Sequence, residues 1–289
     1  MSHIPVMLEE VISHLDIKNG KTYIDCTFGA GGYSRKILES DDCKLYSIDQ
    51  DPGVEVFVKE LEQNYSKENF IFVKDNFSNI KEIVEQNNIK DIDGIVFDLG
   101  ISSMQVDQAE RGFSFNKEAK LDMRMSQSGK SAWEVINKYS EEDIADIIYH
   151  YGEEPFSRRI AKNIVEYRKN KTIETTTELA SIIKSSVRRK GKSDPATKSF
   201  QAIRVYINDE LKTLKKALVD AYDALRIDGK LVIVSFQGLE DRIIKDFIHN
   251  IKGARNKSYK PSANEIKINP RSRSAKLRCI KKIQENNND

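Results

Sequence analysis

The sequence predicts an α/β fold, a doubly wound parallel sheet interrupted by a helical insertion. Three observations carry this. Short apolar runs alternate with helical patterns over residues 22–99, the signature of parallel strands joined by helices. A glycine-rich turn, Gly29-Ala30-Gly31-Gly32, joins the first strand to a helix. The alternation stops near residue 105 and resumes near residue 200. The expected organisation is a discontinuous core, residues 1–105 and 200–289, around a helical substrate-recognition insertion at 106–199.

The elements follow in order. Residues 22–28 read as a strand and 33–39 as a helix. Residues 44–49 form a second strand, and Pro52 suits the first position of the helix after it. A third strand covers 70–74, a helix starts near Ser78, and a fourth strand covers 93–99. From Met104 to Ser199 the apolar positions keep helical spacing and no strand is expected. Within that stretch Thr175 and Glu178 have the form of a capping box. One long helix is expected over 200–226, then a strand over 230–236, a helix from Leu239 and a last strand within 276–283.

With 289 residues, 39% of them hydrophobic and 32% charged, the chain can build a sizeable core under a heavily ionised surface. A net charge of +2 hides an asymmetry. Residues 181–289 hold 25 Lys+Arg against 12 Asp+Glu, a net of +13, and residues 1–180 carry a net of −11. That imbalance points to a polyanionic partner. Two basic runs, 186–192 and 270–278, contain no acid, and Arg188, Arg189, Arg271 and Arg273 are candidate phosphate contacts. The three cysteines form no Cys-x-x-Cys pair and the four histidines are scattered, so no metal site is expected and a reducing cytosol fits. The N-terminus is not a signal peptide, and no apolar run approaches the ~20 residues of a membrane span. The expectation is a soluble, cytoplasmic protein.

In a doubly wound sheet, ligands bind beyond the carboxyl ends of the strands. Here those ends carry Asp25, Asp49, Asp75 to Phe77, and Asp98. Glycines between strand and helix let the backbone approach a ligand. Asp49 stands where an acid accepts ribose hydroxyls. A dinucleotide fingerprint would need glycine at position 34, which is Ser34. Asp25, beside the glycines, repels a pyrophosphate and suits an ammonium or sulfonium. The chemistry points to S-adenosylmethionine, and away from an NAD-dependent oxidoreductase.

Seven motifs stand in order between His3 and about Ile283: DCTFGAGGYS, DLGISSMQ, AERGFSF, LDMRM, ATKSFQAIRVYIN, SFQGLEDR and NPRSRSAKLR. In these the chain resembles the MraW (RsmH) family, bacterial enzymes that methylate N4 of a cytosine in 16S rRNA in the small-subunit decoding centre. The resemblance implies a Rossmann-like methyltransferase core using S-adenosyl-L-methionine, with 16S rRNA in the small ribosomal subunit as partner. It implies cofactor contacts from Gly31, Gly32, Tyr33, Asp49, Phe77, Asp98 and Gln105. The chain departs from the family pattern at Tyr33, where histidine is common, at Met104, where proline is usual, and at Gln237-Gly238, in place of His-Ser. The segment before Asn269 is also short. No catalytic role is assigned to Gln237 or Gly238.

The exocyclic amine of cytosine is a poor nucleophile, because its lone pair is conjugated with the ring. Asp98, at the end of the fourth strand, is the candidate acceptor for an amine hydrogen, through its carboxylate or a nearby backbone carbonyl; the other reading of Asp98 is cofactor binding alone. The target base must leave its stack. Phe113 and Phe115 are candidate stacking surfaces, with Arg111 and Arg124 as phosphate contacts. At i and i+2 the two rings point oppositely in an extended segment, so one of them can anchor the insertion instead. Arg204 and Asn208 share a helix face. Glu240 and Asp241 suit the start of a helix. Alternative readings are a non-catalytic RNA-binding assembly factor, an NAD-dependent oxidoreductase, and a DNA cytosine methylase. The last carries Asp/Asn-Pro-Pro-Tyr where this chain has DLGISS.

Overall fold

The computed structural model describes residues 5–187, 194–252, 254 and 257–283. It divides into two compact units, Met1–Gly100 with Leu211–Asp289, and Ile101–Glu210. The first unit opens with α1 (Leu8–Leu15), β1 (Thr22–Asp25), α2 (Gly32–Ser40), β2 (Lys44–Asp49), α3 (Glu55–Asn64), β3 (Phe70–Lys74), α4 (Ile80–Gln86) and β4 (Ile92–Asp98). The helical unit follows with α5 (Ser103–Asp107), α6 (Ala132–Lys138), α7 (Glu141–Gly152), α8 (Ser157–Arg168), α9 (Thr176–Ser186) and α10 (Thr197–Ile207). The chain then completes the first unit with α11 (Glu210–Ala224), β5 (Leu225–Ser235), α12 (Gly238–His249), β6 (Ser258–Tyr259), α13 (Ala263–Ile268) and β7 (Lys276–Lys281).

The seven strands form one sheet in the order β3-β2-β1-β4-β5-β7-β6. Strands β1 to β5 are parallel, and β7 runs antiparallel to β5 and β6. The order grows one way from β1 to β3 and the other way from β4 to β5. Right-handed crossovers then lay helices on opposite faces, which is the doubly wound, Rossmann-like arrangement. One face packs Ile24, Ile48, Phe97 and Ile233 against α4, α11 and α12. Covered on both faces, the strands are apolar almost throughout, as in YID and GIVF.

The structure departs from the expected elements where distant residues intervene. The single helix expected over 200–226 is two helices, broken at Asn208 and Asp209, and Asp209 has φ 50°. Asn208 spends its side chain across the break. Its Oδ1 accepts from Met125 N at 2.8 Å and its Nδ2 donates to Met123 O at 2.8 Å. Phe200 and Ile203, on α10, belong to the core of the helical unit. The division therefore lies at 210/211, where the sequence suggested 199/200, and at 100/101, where it suggested 105/106. Strand β5 starts at Leu225, five residues early, and β6 and α13 had no sequence signal strong enough to announce them.

The helical unit packs Ile136, Ile148, Ile160, Leu179, Ile183 and Ile203 into one core. Thr175 and Glu178 do form a capping box, as do Ser131 and Glu134. AERGFSF and LDMRM are two sides of one hydrogen-bonded loop. The Arg111 guanidinium donates to Arg124 O and Met125 O, each at 3.0 Å. Arg124 makes a two-pronged contact with Asp122, Nε to Oδ1 at 2.9 Å and Nη2 to Oδ2 at 2.7 Å. Gly112 sits between them at φ 72°, where a Cβ would stand 2.4 Å from Lys120 O.

Gly112→Ala therefore meets both a left-handed backbone and a backbone clash. It should lower unfolding stability by on the order of 2–3 kcal/mol, read as a reduced urea midpoint. An unchanged midpoint would mean that the loop does not close around Gly112.

Candidate functional site

The site is set by register. Asp25 on β1 pairs with Ser47 on β2 and with Val96 on β4. Asp49 and Asp98 thus lie two residues further along, one on each flanking strand. Alternation along a strand puts Asp25, Ser47, Asp49 and Asp98 on one face, opposite Ile24, Ile48 and Phe97. Neighbouring strands are spaced by about 4.8 Å, so Asp49 and Asp98, two strands apart, are separated by roughly 10 Å along the edge. Between them the chain leaves β1 through Thr27, whose Oγ1 accepts from Asp98 N at 2.7 Å.

The glycine turn is fastened to this edge. Gly29 N donates to Asp49 Oδ2 at 2.8 Å, and Asp51 N donates to Asp49 Oδ1 at 2.9 Å. Beyond the turn, the next two expected cofactor residues are engaged by the chain's own N-terminal segment. A Cβ on Gly32 would stand 2.2 Å from Pro5 Cγ. Tyr33 is buried and its hydroxyl donates to Val6 O. Met7 N in turn donates to Glu265 Oε1 at 2.6 Å.

The electrostatics are one-sided. Asp25 is wholly buried, accepting from Ser34 Oγ at 2.7 Å and from Thr27 N at 3.1 Å, while Ser34 Oγ also meets Ser47 Oγ at 2.8 Å. Burial pushes the Asp25 carboxyl up to about 6, and burial does the same for Asp49. Asp98 is held well above the usual carboxylate range, first by burial and then by the charges of Asp25 and Glu240. Its Oδ1 is buried with no hydrogen-bond partner. Among the described residues, no lysine or arginine forms an ion pair with any of the three, and none is a leading influence on their state. Such an edge suits a positively charged ligand and opposes a pyrophosphate. Among the described residues, no group of three His, Cys, Asp or Glu is placed to hold a metal ion. Nor is any helix long and apolar enough to cross a membrane.

The remaining sequence candidates fall in several places. Phe77 is half-buried in the turn after β3, its ring edge-on to Phe97 at 5.5 Å. Gln105 lies on α5 in the helical unit, where its Oε1 accepts from Ser102 N at 3.0 Å. Arg111 is 7% exposed and committed to the loop carbonyls, which takes it away from the phosphate role expected of it. Phe113 is buried in the helical core, and Phe115 packs edge-on to Phe200 at 5.2 Å. Arg124 is tied to Asp122. Arg271 and Arg273 stand exposed on the turn Pro270–Ser274. Arg188 and Arg189 lie outside the described residues. Sequence reasoning missed the parts played by Thr27, Ser34 and Ser47: Ser34 Oγ and Thr27 N donate to Asp25, Ser47 meets Ser34, and Thr27 Oγ1 accepts from Asp98 N. Serine inside the strand KLYSID was the available signal, since a buried strand position seldom takes a hydroxyl without a partner for it.

The MraW methylase family model matches residues 1–283. A relative from Rickettsia akari (strain Hartford), "Ribosomal RNA small subunit methyltransferase H", is 51% identical over 306 residues, covering 98% of this chain and 99% of that one. A relative of the same description from Rickettsia canadensis (strain McKiel) is 50% identical over 308 residues, with the same coverage.

Raised folded-state values for Asp25 and Asp49 set the sign of a stability effect. The stabilising contribution is full below the unfolded value near 4 and is lost as pH rises through about 6, on the order of 3 kcal/mol for each group. Between those limits, the unfolding midpoint of the ligand-free protein should depend less on pH in Asp25→Asn and Asp49→Asn than in the wild type. Parallel pH profiles for all three proteins would show that neither carboxyl titrates upward.

Proposed function

The chain belongs to the MraW methylase family, and on that premise we propose that it methylates the N4 amine of one cytidine of 16S rRNA, in the decoding centre of the small ribosomal subunit. The chain is an S-adenosylmethionine-dependent rRNA methyltransferase. Membership sets aside the readings as an oxidoreductase and as a non-catalytic assembly factor.

The observation that carries the proposal is the buried, unpartnered Asp98 Oδ1 at an edge with three carboxylates and no balancing cation. These residues fit the cofactor, which supplies an electrophilic methyl group on a positively charged sulfur. Asp49 would accept the ribose hydroxyls while holding the glycine turn, as its contacts with Gly29 and Asp51 already do. Phe77, at the end of β3, would bear on the adenine. Asp25, held by Ser34 and Thr27, contributes negative potential from beneath.

Positive charge nearby favours the ionised form of Asp98. Its Oδ1 then accepts a hydrogen of the cytosine amine, which localises the lone pair on N4. The cofactor, held by Asp49 and the glycine turn, would supply the methyl group to N4, its C–S bond breaking as the N–C bond forms. The surplus proton of the methylated amine passes to Asp98 or to water. Alignment of amine, methyl carbon and sulfur supplies much of the acceleration, on the order of 7–11 kcal/mol for well-positioned reactants.

The deciding experiment mixes purified protein and labelled S-adenosylmethionine with small subunits lacking the modification, beside free rRNA and duplex DNA. Label should be recovered as N4-methylcytidine from the subunits. Label in another nucleoside would discard the base assignment, and label in DNA alone would discard the substrate class. Asp98→Ala should lower kcat by about 100-fold or more with S-adenosylhomocysteine binding retained. Asp49→Ala should instead weaken cofactor binding about tenfold or more, the loss of charged hydrogen bonds. Wild-type affinity for the cofactor should fall as pH drops below about 6, because Asp25 and Asp49 take up protons there.

A further inference from the structure

Phe113 is buried in the helical unit and Phe115 is half-buried against Phe200, while more exposed rings stand elsewhere. Among the described residues the exposed aromatic side chains are Tyr149, Phe156 and Tyr167, at 54, 38 and 37%. All three lie between the end of α7 and the end of α8. Helix α8 turns Ile160, Ala161 and Ile164 inward. Its outer side therefore faces water. Phe156, Arg159 and Tyr167 lie along one side of the helix, and Asn163 between them is turned to Ser186 Oγ of α9 at 2.7 Å. Arg158, Lys162 and Lys169 stand exposed on the adjacent line.

The local charge is as distinctive as the rings. Residues 155–171 hold six Lys+Arg and one Asp+Glu, within the part of the chain whose net charge is negative. That one acid, Glu166, is held by Lys169 at 2.7 Å. The Arg159 guanidinium lies 5.0 Å over the Phe156 ring. A solvated helix face is ordinarily charged and free of large rings. Here two rings, roughly 16 Å apart by helical rise, bracket a cationic stripe. Partly exposed rings among exposed cations match the chemistry of unpaired nucleotides, whose bases are open to stacking and whose phosphates are anionic. A duplex offers no base faces.

We infer that the outer face of α8 binds a single-stranded segment of RNA, with Phe156 and Tyr167 stacking on bases and Arg158, Arg159 and Lys162 meeting phosphates. The inference rests on the rRNA methyltransferase reading and names a substrate surface for it.

The test uses the full chain and two multiple variants, Arg158→Ala/Arg159→Ala/Lys162→Ala and Phe156→Ala/Tyr167→Ala. Binding of a short oligouridylate is measured against salt, and the KM for unmodified small subunits is measured in parallel. The three cations are exposed and the two rings are 38 and 37% exposed, so S-adenosylhomocysteine affinity should not move in either variant, and RNA affinities are compared well below both unfolding midpoints. The cationic variant should lose about tenfold or more in RNA affinity, and its slope of log affinity against log salt should shrink by about 2, or ~0.7 for each phosphate contact. The aromatic variant should lose at least ~5-fold with its salt slope unchanged. Wild-type oligouridylate affinity and salt slope in both variants would overturn the inference. So would a raised KM for subunits with oligouridylate binding intact, which would set this face against a ribosomal protein. Wild-type protein that bound oligouridylate through these residues yet methylated no subunit would support the surface and count against the catalytic reading.

Discussion

Three carboxylates share one face of the sheet edge with no cation among them, and the organisation of the core follows from that. Ionised groups buried without counter-charge are expensive, so the surrounding chain supplies donors instead. Ser34, Thr27, Gly29 and Asp51 each give one to Asp25 or Asp49. What these donors leave unsatisfied is concentrated on Asp98, whose Oδ1 has nothing to accept. Asp241 makes the contrast within the same unit. It is as buried as many core residues, yet Lys245, Lys276 and Arg278 surround it at 2.9, 2.7 and 2.8 Å and hold its carboxyl well below the usual range. Asp241 knits α12 to β7 and has no capacity left for chemistry. The same residue type serves architecture where cations converge and ligand binding where they are withheld.

Much of what the motifs preserve is likewise architecture. Gly32 makes room for Pro5, and Tyr33 holds Val6. Glu240 accepts from Phe236 N and Gln237 N, which closes the turn into α12. In the helical unit Arg111, Gly112, Arg124 and Asn208 together shape one loop. Arg204 is paired with Glu210 at 2.8 Å rather than reaching outward. A basic or polar residue in a motif is therefore no guide to its exposure, and the cations that do face water on α8 belong to no motif at all.

The sheet, its parallel direction and the acids at its carboxyl edge were legible in the sequence, because each depends on periodicity over a few residues. Strands two residues in period fix which face Asp25, Asp49 and Asp98 share once the register is known. The Thr175–Glu178 cap was legible for the same reason, being a contact across three residues. The helix break at Asn208 was not, since its cause is a loop 83 and 85 residues away in the chain. Nor was the fate of Phe113, which alternation left equally free to face the core or water. Local pattern by itself determined the fold class, the ligand edge and the kind of charge that edge would welcome. Only tertiary packing decided which motif residues are buried, where the exposed rings stand, and which carboxylate is left without a partner, because burial and pairing are set by neighbours far off in sequence.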